Sequence, residues 1–85
     1  MSTTFYKFHA DNLYFFRLNL AYYRNAKGWT QEQLAEKAGI SPGYLAHLEA
    51  LRSDAEPSFE TLSRLACALG VTISELTAVD LELIR

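Results

Sequence analysis

Cysteine is all but missing from this 85-residue chain, and Cys67 has no second thiol to bridge to. Only His9 and His47 stand beside it as soft ligands, and no cluster has zinc spacing, so metal and disulfide staples are both excluded. Long apolar runs are missing as well. The stretches 13–16 and 18–23 are broken by Arg17 and Asn19, and fall far short of the roughly 20 residues a bilayer span requires. The first ten residues lack a basic region followed by an apolar run and a cleavage site, so a soluble, cytoplasmic protein with no membrane partner is expected. The length leaves room for one core and excludes a two-domain enzyme with its own cofactor fold.

The composition that remains is globular, 49% hydrophobic and 21% charged, so the chain folds rather than serving as a linker. A domain this small buries only about 60% of the surface its unfolded chain exposes. Without a staple it depends on tight packing, and a partner subunit is expected. Charge is uneven along the chain. Residues 1–52 carry six bases against four acids, a balance of +2, whereas 53–85 carry two bases against six acids, a balance of −4. The net charge of −2 counts against a strong nucleic-acid binder, because phosphate neutralisation supplies most non-specific affinity, although only one face need be positive.

Apolar residues recur at helical spacing and strand patterns are nearly absent, so the fold class is all-α. A first helix is predicted from an N-cap at Asp11 to Ala26 or Lys27, with Leu13, Phe16, Leu20 and Tyr23 inward and Gly28 as its stop. Tyr14, Phe15, Leu18 and Tyr22 lie off that stripe. Thr30 with Gln33 forms a capping box for a second helix, which turns Leu34, Ala35 and Ala38 inward and ends at Gly39. Ser41 caps a third helix with Pro42 at its first position and Tyr44, Leu45 and Leu48 on its stripe. After a polar turn from Arg52 to Pro57, Ser58 caps a fourth helix with Phe59, Leu62, Leu65, Ala66 and Leu69 inward, and Gly70 follows. Thr72 with Glu75 boxes a short fifth helix. The organisation predicted is an aromatic arm over 1–10 (Phe5, Tyr6, Phe8), a domain over 11–77 and a tail over 78–85. The tail reads as a strand pairing across a dimer axis or as a sixth helix.

Gly39 and Ile40 alone separate the second helix from the cap of the third. Gly39 can adopt a positive φ without a Cβ penalty, so the chain reverses sharply and the helices cross steeply, with small Ala35 where their backbones approach. Such a corner is a helix-turn-helix, and it pushes one helix out far enough to enter a groove. The run Arg24-Asn-Ala-Lys-Gly28-Trp-Thr-Gln31-Glu-Gln-Leu-Ala35-Glu-Lys-Ala-Gly39-Ile-Ser-Pro-Gly-Tyr44-Leu-Ala-His-Leu-Glu49 is followed by Pro57-Ser-Phe-Glu-Thr-Leu62 and Ala68-Leu-Gly70-Val-Thr-Ile-Ser-Glu-Leu76. In the order and spacing of these elements, from about Leu13 to Leu76, the chain resembles the Cro/phage-repressor (Xre) helix-turn-helix family.

The resemblance implies a five-helix, lambda-repressor-like DNA-binding domain and a function as a transcriptional regulator, binding operator DNA as a homodimer. It implies a structural charge pair between Arg24 and Glu49. It also puts the capped terminus at Thr30 and Gln31 on phosphate, with Gln31 alternatively supporting a base-reading side chain. Base edges would face Ser41, Pro42, Gly43, Ala46 and His47, while the Tyr44 hydroxyl, Arg52 and Ser53 would meet the backbone. Arg17, Lys27 and Lys37 would be peripheral phosphate partners. The chain departs from the family pattern at Pro42 and Gly43, which cannot make the bidentate base contact worth about 1–3 kcal/mol. It departs again at Asp54 and Glu56, which would repel phosphate if they faced it. Residual recognition would rest on Ser41, His47, Ala46 against a thymine methyl, and DNA shape.

No nucleophile with a nearby base, no paired carboxylates and no phosphate-binding glycine loop occur, so neither an enzyme nor a cofactor is expected. Cys67 reads as an unreactive thiol. The alternative function is a protein-protein interaction module on this scaffold with weakened DNA reading, using the aromatic first helix.

Overall fold

The computed structural model describes residues 3–79, with side chains described from Leu13 onward. Five helices follow in order: α1 (Thr3–Ala26), α2 (Gln31–Ala38), α3 (Pro42–Glu49), α4 (Phe59–Leu69) and α5 (Ile73–Leu76). No strand occurs among the described residues. α1 starts at Thr3, well ahead of the predicted cap at Asp11. No glycine or proline interrupts 3–26, and an interior Asp or Asn costs at most about 0.7 kcal/mol, too little to stop propagation. The expected arm is therefore helical from Thr3. The side chains of Phe5, Tyr6 and Phe8 lie outside those described, as does the tail from residue 80.

The other boundaries follow local chemistry. Thr30 Oγ1 accepts from the Gln33 amide at 3.1 Å while Gln33 Oε1 accepts from the Thr30 amide at 2.8 Å, closing the predicted box. Thr72 and Glu75 repeat it at 2.9 Å in both directions. Ser41 and Ser58 accept from the Tyr44 and Thr61 amides, and each cap satisfies a helix-end donor. At the C-terminus of α2, Gly39 takes φ +72, its amide bonds Glu36 O at 3.2 Å, and the Ile40 amide reaches back to Ala35 O at 3.0 Å. This left-handed exit aims the chain straight into the Ser41 cap of α3.

The core gathers Phe16 and Leu20 of α1, Leu34, Ala35 and Ala38 of α2, Leu45 and Leu48 of α3, Leu65, Ala66 and Leu69 of α4, and Leu76 of α5. α2 packs against both α3 and α4, and α1 lies against α3 and α5. Asn19 Nδ2 donates to the carbonyls of Leu76 (3.1 Å) and Ala78 (2.9 Å), tying α1 to the end of α5. Two expectations are corrected. Phe15, placed off the stripe of α1, is buried. Phe15, Phe16 and Arg17 are consecutive and all buried, an arc of about 200°, because α1 is flanked on two sides. Phe59, placed inward, is 74% exposed. In the first turn of α4 the inward position belongs to Thr61, one turn before Leu65, and its hydroxyl accepts from Ser58 Oγ at 3.0 Å. Tyr14, Tyr22 and Cys67 are exposed.

Two glycines flank the corner with opposite requirements. A Cβ on Gly39 would sit at positive φ and 2.8 Å from Arg64 Nη1, whereas one on Gly43, inside α3, would meet nothing within 4 Å. Urea unfolding is expected to show Gly39→Ala destabilised by about 1–2 kcal/mol. Gly43→Ala is expected to be stabilised by about 0.4–1 kcal/mol. Equal shifts of the two midpoints would contradict this account of the corner.

Candidate nucleic-acid interface

The bihelical corner leaves one side of α3 uncovered. Leu45 and Leu48 are buried in the core, while Ser41, Pro42, Gly43 and His47 are exposed and Ala46 is half-buried. The base-facing positions expected from sequence therefore share one outer surface, and Leu45 and Leu48 anchor its back. Ser41 Oγ accepts from the Tyr44 amide at 3.1 Å with one of its two lone pairs, which leaves its hydroxyl proton and the second lone pair on the exposed side. The Tyr44 hydroxyl reaches Glu56 O at 3.5 Å, a long contact that holds it loosely near the loop following α3. In that loop Arg52 and Asp54 are exposed, and Ser53 Oγ accepts from the Ala55 amide at 3.0 Å.

Behind this surface lies the predicted charge pair, in a larger network than the sequence suggested. Glu49 accepts from Arg24 Nε at 2.7 Å and Nη2 at 3.0 Å, a bidentate pair whose side chains are only 14% (Arg24) and 6% (Glu49) exposed. Arg24 Nη1 adds the Trp29 carbonyl at 2.7 Å. Hydrogen bonding to Glu49, opposed by burial and reinforced by the charges of Glu49 and Glu32, raises the Arg24 pKa above its ordinary value. Gln31 Nε2 then donates to Glu49 Oε1 at 3.1 Å. One of its two amide protons is thereby spent on the protein, leaving the second proton and the carbonyl oxygen at the amino end of α2. The end of α1, the start of α2 and the end of α3 meet on one carboxylate.

Arg17 is the main correction. Expected as a peripheral phosphate partner, it is 2% exposed and out of reach of solvent. Its Nη1 donates to the carbonyls of Leu48 (3.0 Å) and His47 (3.4 Å), and its Nη2 donates to Ala55 O at 2.5 Å. Among the described residues all its partners are main-chain carbonyls, two of them at the C-terminal end of α3, where the helix dipole favours a cation. The sequence carries the side on which Arg17 lies, but not its burial. Arg17 precedes Arg24 by seven residues, two turns, and so shares its inward side. Lys27 and Lys37 are exposed, with their ammonium groups 5.8 and 4.8 Å from the centroid of the Trp29 ring. Among the described residues no three of His, Cys, Asp and Glu group to hold a metal, and no helix is long and apolar enough to cross a membrane.

Because Glu49 is nearly buried and serves three donors, Glu49→Ala should cost about 3 kcal/mol in urea unfolding at neutral pH, since it strands the Arg24 charge. Gln31→Ala removes one bond to a carboxylate at the edge of the network and should cost within about 1–2 kcal/mol.

A family model described as helix-turn-helix matches residues 20–76. The immunity repressor protein of Bacillus phage phi105 is 45% identical over 57 residues, 67% of this chain and 38% of the repressor. An uncharacterised HTH-type transcriptional regulator of Sinorhizobium fredii is 45% identical over 58 residues, 68% of this chain and 73% of that protein. The HTH-type transcriptional regulator SinR of Bacillus subtilis is 35% identical over 54 residues, 64% of this chain and 48% of SinR. Among solved structures, the hypothetical transcription factor NHTF from Neisseria superposes with a TM-score of 0.72 at 28% identity, covering 85% of this chain and 80% of that one. The chain thus spans well under half of the phage repressor and most of the Sinorhizobium regulator. With the corner, both capping boxes and the glycine exits in place, the chain belongs to the helix-turn-helix family of the Cro and phage-repressor type.

Proposed function

We propose that this protein is a sequence-specific DNA-binding transcriptional regulator that occupies operator DNA as a homodimer. The observation that carries the reading is the outward side of α3: Ser41, Pro42, Gly43, Ala46 and His47 on one uncovered surface, held from behind by Arg24, Glu49 and Gln31. In this reading α3 enters the major groove, and Ser41 and His47 meet base edges. Thr30 and Gln31 present the amino end of α2 to a phosphate, and the Tyr44 hydroxyl, Arg52 and Ser53 line the next one. With Pro42 and Gly43 unable to make bidentate base contacts, specificity depends on few side chains and on DNA shape. The relatives named as repressor and regulators support the same reading. Two copies would place their α3 helices in successive major grooves, about 34 Å apart.

A second reading, a protein-interaction module, draws on Tyr14 and Tyr22, which stand out from α1, Tyr22 at 68% exposure. Binding to a genomic DNA library at two salt concentrations separates the two. The regulator predicts an enriched palindrome and a steep salt slope, and the module predicts flat, negligible binding. His47→Ala is expected to relax base preference, and Gln31→Ala to weaken all sites alike. A uniform loss from both would overturn the division of roles, and a monomer by sedimentation at high concentration would overturn the paired site.

A further inference from the structure

We infer that Arg17 is a positioning residue that joins α3 and the loop over 50–57 into one rigid unit, so that the α3 surface and the Arg52–Ser53 segment reach DNA in a set relation. The inference rests on the proposed DNA-binding role for its consequence, though not for its geometry. A guanidinium is planar and offers donors in a rigid fork. Here one nitrogen holds the carbonyls of His47 and Leu48 at the end of α3, and the other holds Ala55 O on the far side of the loop. No regular element bridges the residues between. Ala50, the C-cap of α3, is extended (φ −71, ψ 120), and 53–58 have no regular structure.

The loop has ties besides Arg17. The Ser53 amide bonds Ala50 O at 3.0 Å, the Ala55 amide bonds Ser53 Oγ at 3.0 Å, and the Tyr44 hydroxyl touches Glu56 O at 3.5 Å. Ala55 also packs against the core, and the Arg17 fork adds polar bonds that run from α1 to the end of α3 and to the loop at once. A cation 2% exposed whose partners among the described residues are all neutral carbonyls is a costly way to fill space. Two of those carbonyls lie at the end of α3 and the third lies in the loop, so the arginine satisfies three acceptors of two segments from one position. A lysine there keeps the charge but lacks the fork, and a single ammonium cannot hold both sides of the loop in the same way.

The test uses Arg17→Lys, with Arg17→Met as a neutral second variant if the first does not fold cooperatively. In the free protein, amide exchange at Ser53 and Ala55 is expected to rise at least tenfold relative to the core amides of α2 and α4. On DNA, affinity for the selected palindrome should fall about tenfold, and affinity for unrelated duplex at the same salt should change less than twofold. Unchanged exchange at the two loop amides, or an increase spread evenly over the whole domain, would overturn the inference. Equal losses on both DNAs would overturn it too, since they would show that the arginine has no selective effect on how the α3 surface meets its site. If the unaltered protein selects no DNA at all, the proposed function falls, and the exchange measurement by itself still decides whether Arg17 holds the loop.

Discussion

Two arginines of α1, placed two turns apart, hold the C-terminal end of α3, and the position of the outward surface depends on that grip. Arg24 takes the Glu49 carboxylate and Arg17 takes the carbonyls of His47 and Leu48, so the helix is held by its side chain and its main chain at once. Leu45 and Leu48 add the apolar seat beneath it. α3 has only eight residues, too short to be stable by itself in water, so its existence as a helix is a consequence of these tertiary contacts.

The amino end of α3 is set differently, by short-range geometry. Gly39 reverses the chain, the Ile40 amide closes back on Ala35 O, and Ser41 caps the helix with Pro42 at its first position. The corner places the start of α3 and the arginines place its end. Gln31 links the two, because its amide belongs to the first turn of α2 yet donates to the carboxylate that ends α3. A side chain expected to face a ligand is therefore also part of the frame, and one of its protons is already committed.

That division explains the character of the exposed face. The polar groups that hold it are turned inward beside Leu45 and Leu48, while most of the groups that present it are small, a serine, a proline, a glycine and an alanine, with one histidine. The positive charge of Arg17 is withdrawn from the surface altogether. In a chain of net charge −2, the loop after α3 exposes Arg52 together with the acids Asp54 and Glu56. In the proposed role, recognition of DNA by such a surface would rely on the placement of main chain and helix ends more than on a dense set of basic side chains.

The sequence by itself determined the helix class, the caps at Thr30, Ser41, Ser58 and Thr72 and the reversal at Gly39, and its family resemblance implied the Arg24–Glu49 pair. Each is encoded within a few neighbouring residues, or in a pattern whose elements keep their spacing. It did not determine where α1 begins, because capping residues act only where a helix stops, and nothing between Thr3 and Ala26 stops this one. Nor did it determine the inward turn of Phe15, the outward turn of Phe59 or the burial of Arg17. Those outcomes depend on which helices flank a given side chain. A periodic pattern marks one face of a helix, but how wide that face is, and whether a charge on its edge meets water or a row of carbonyls, is decided only when the other helices arrive.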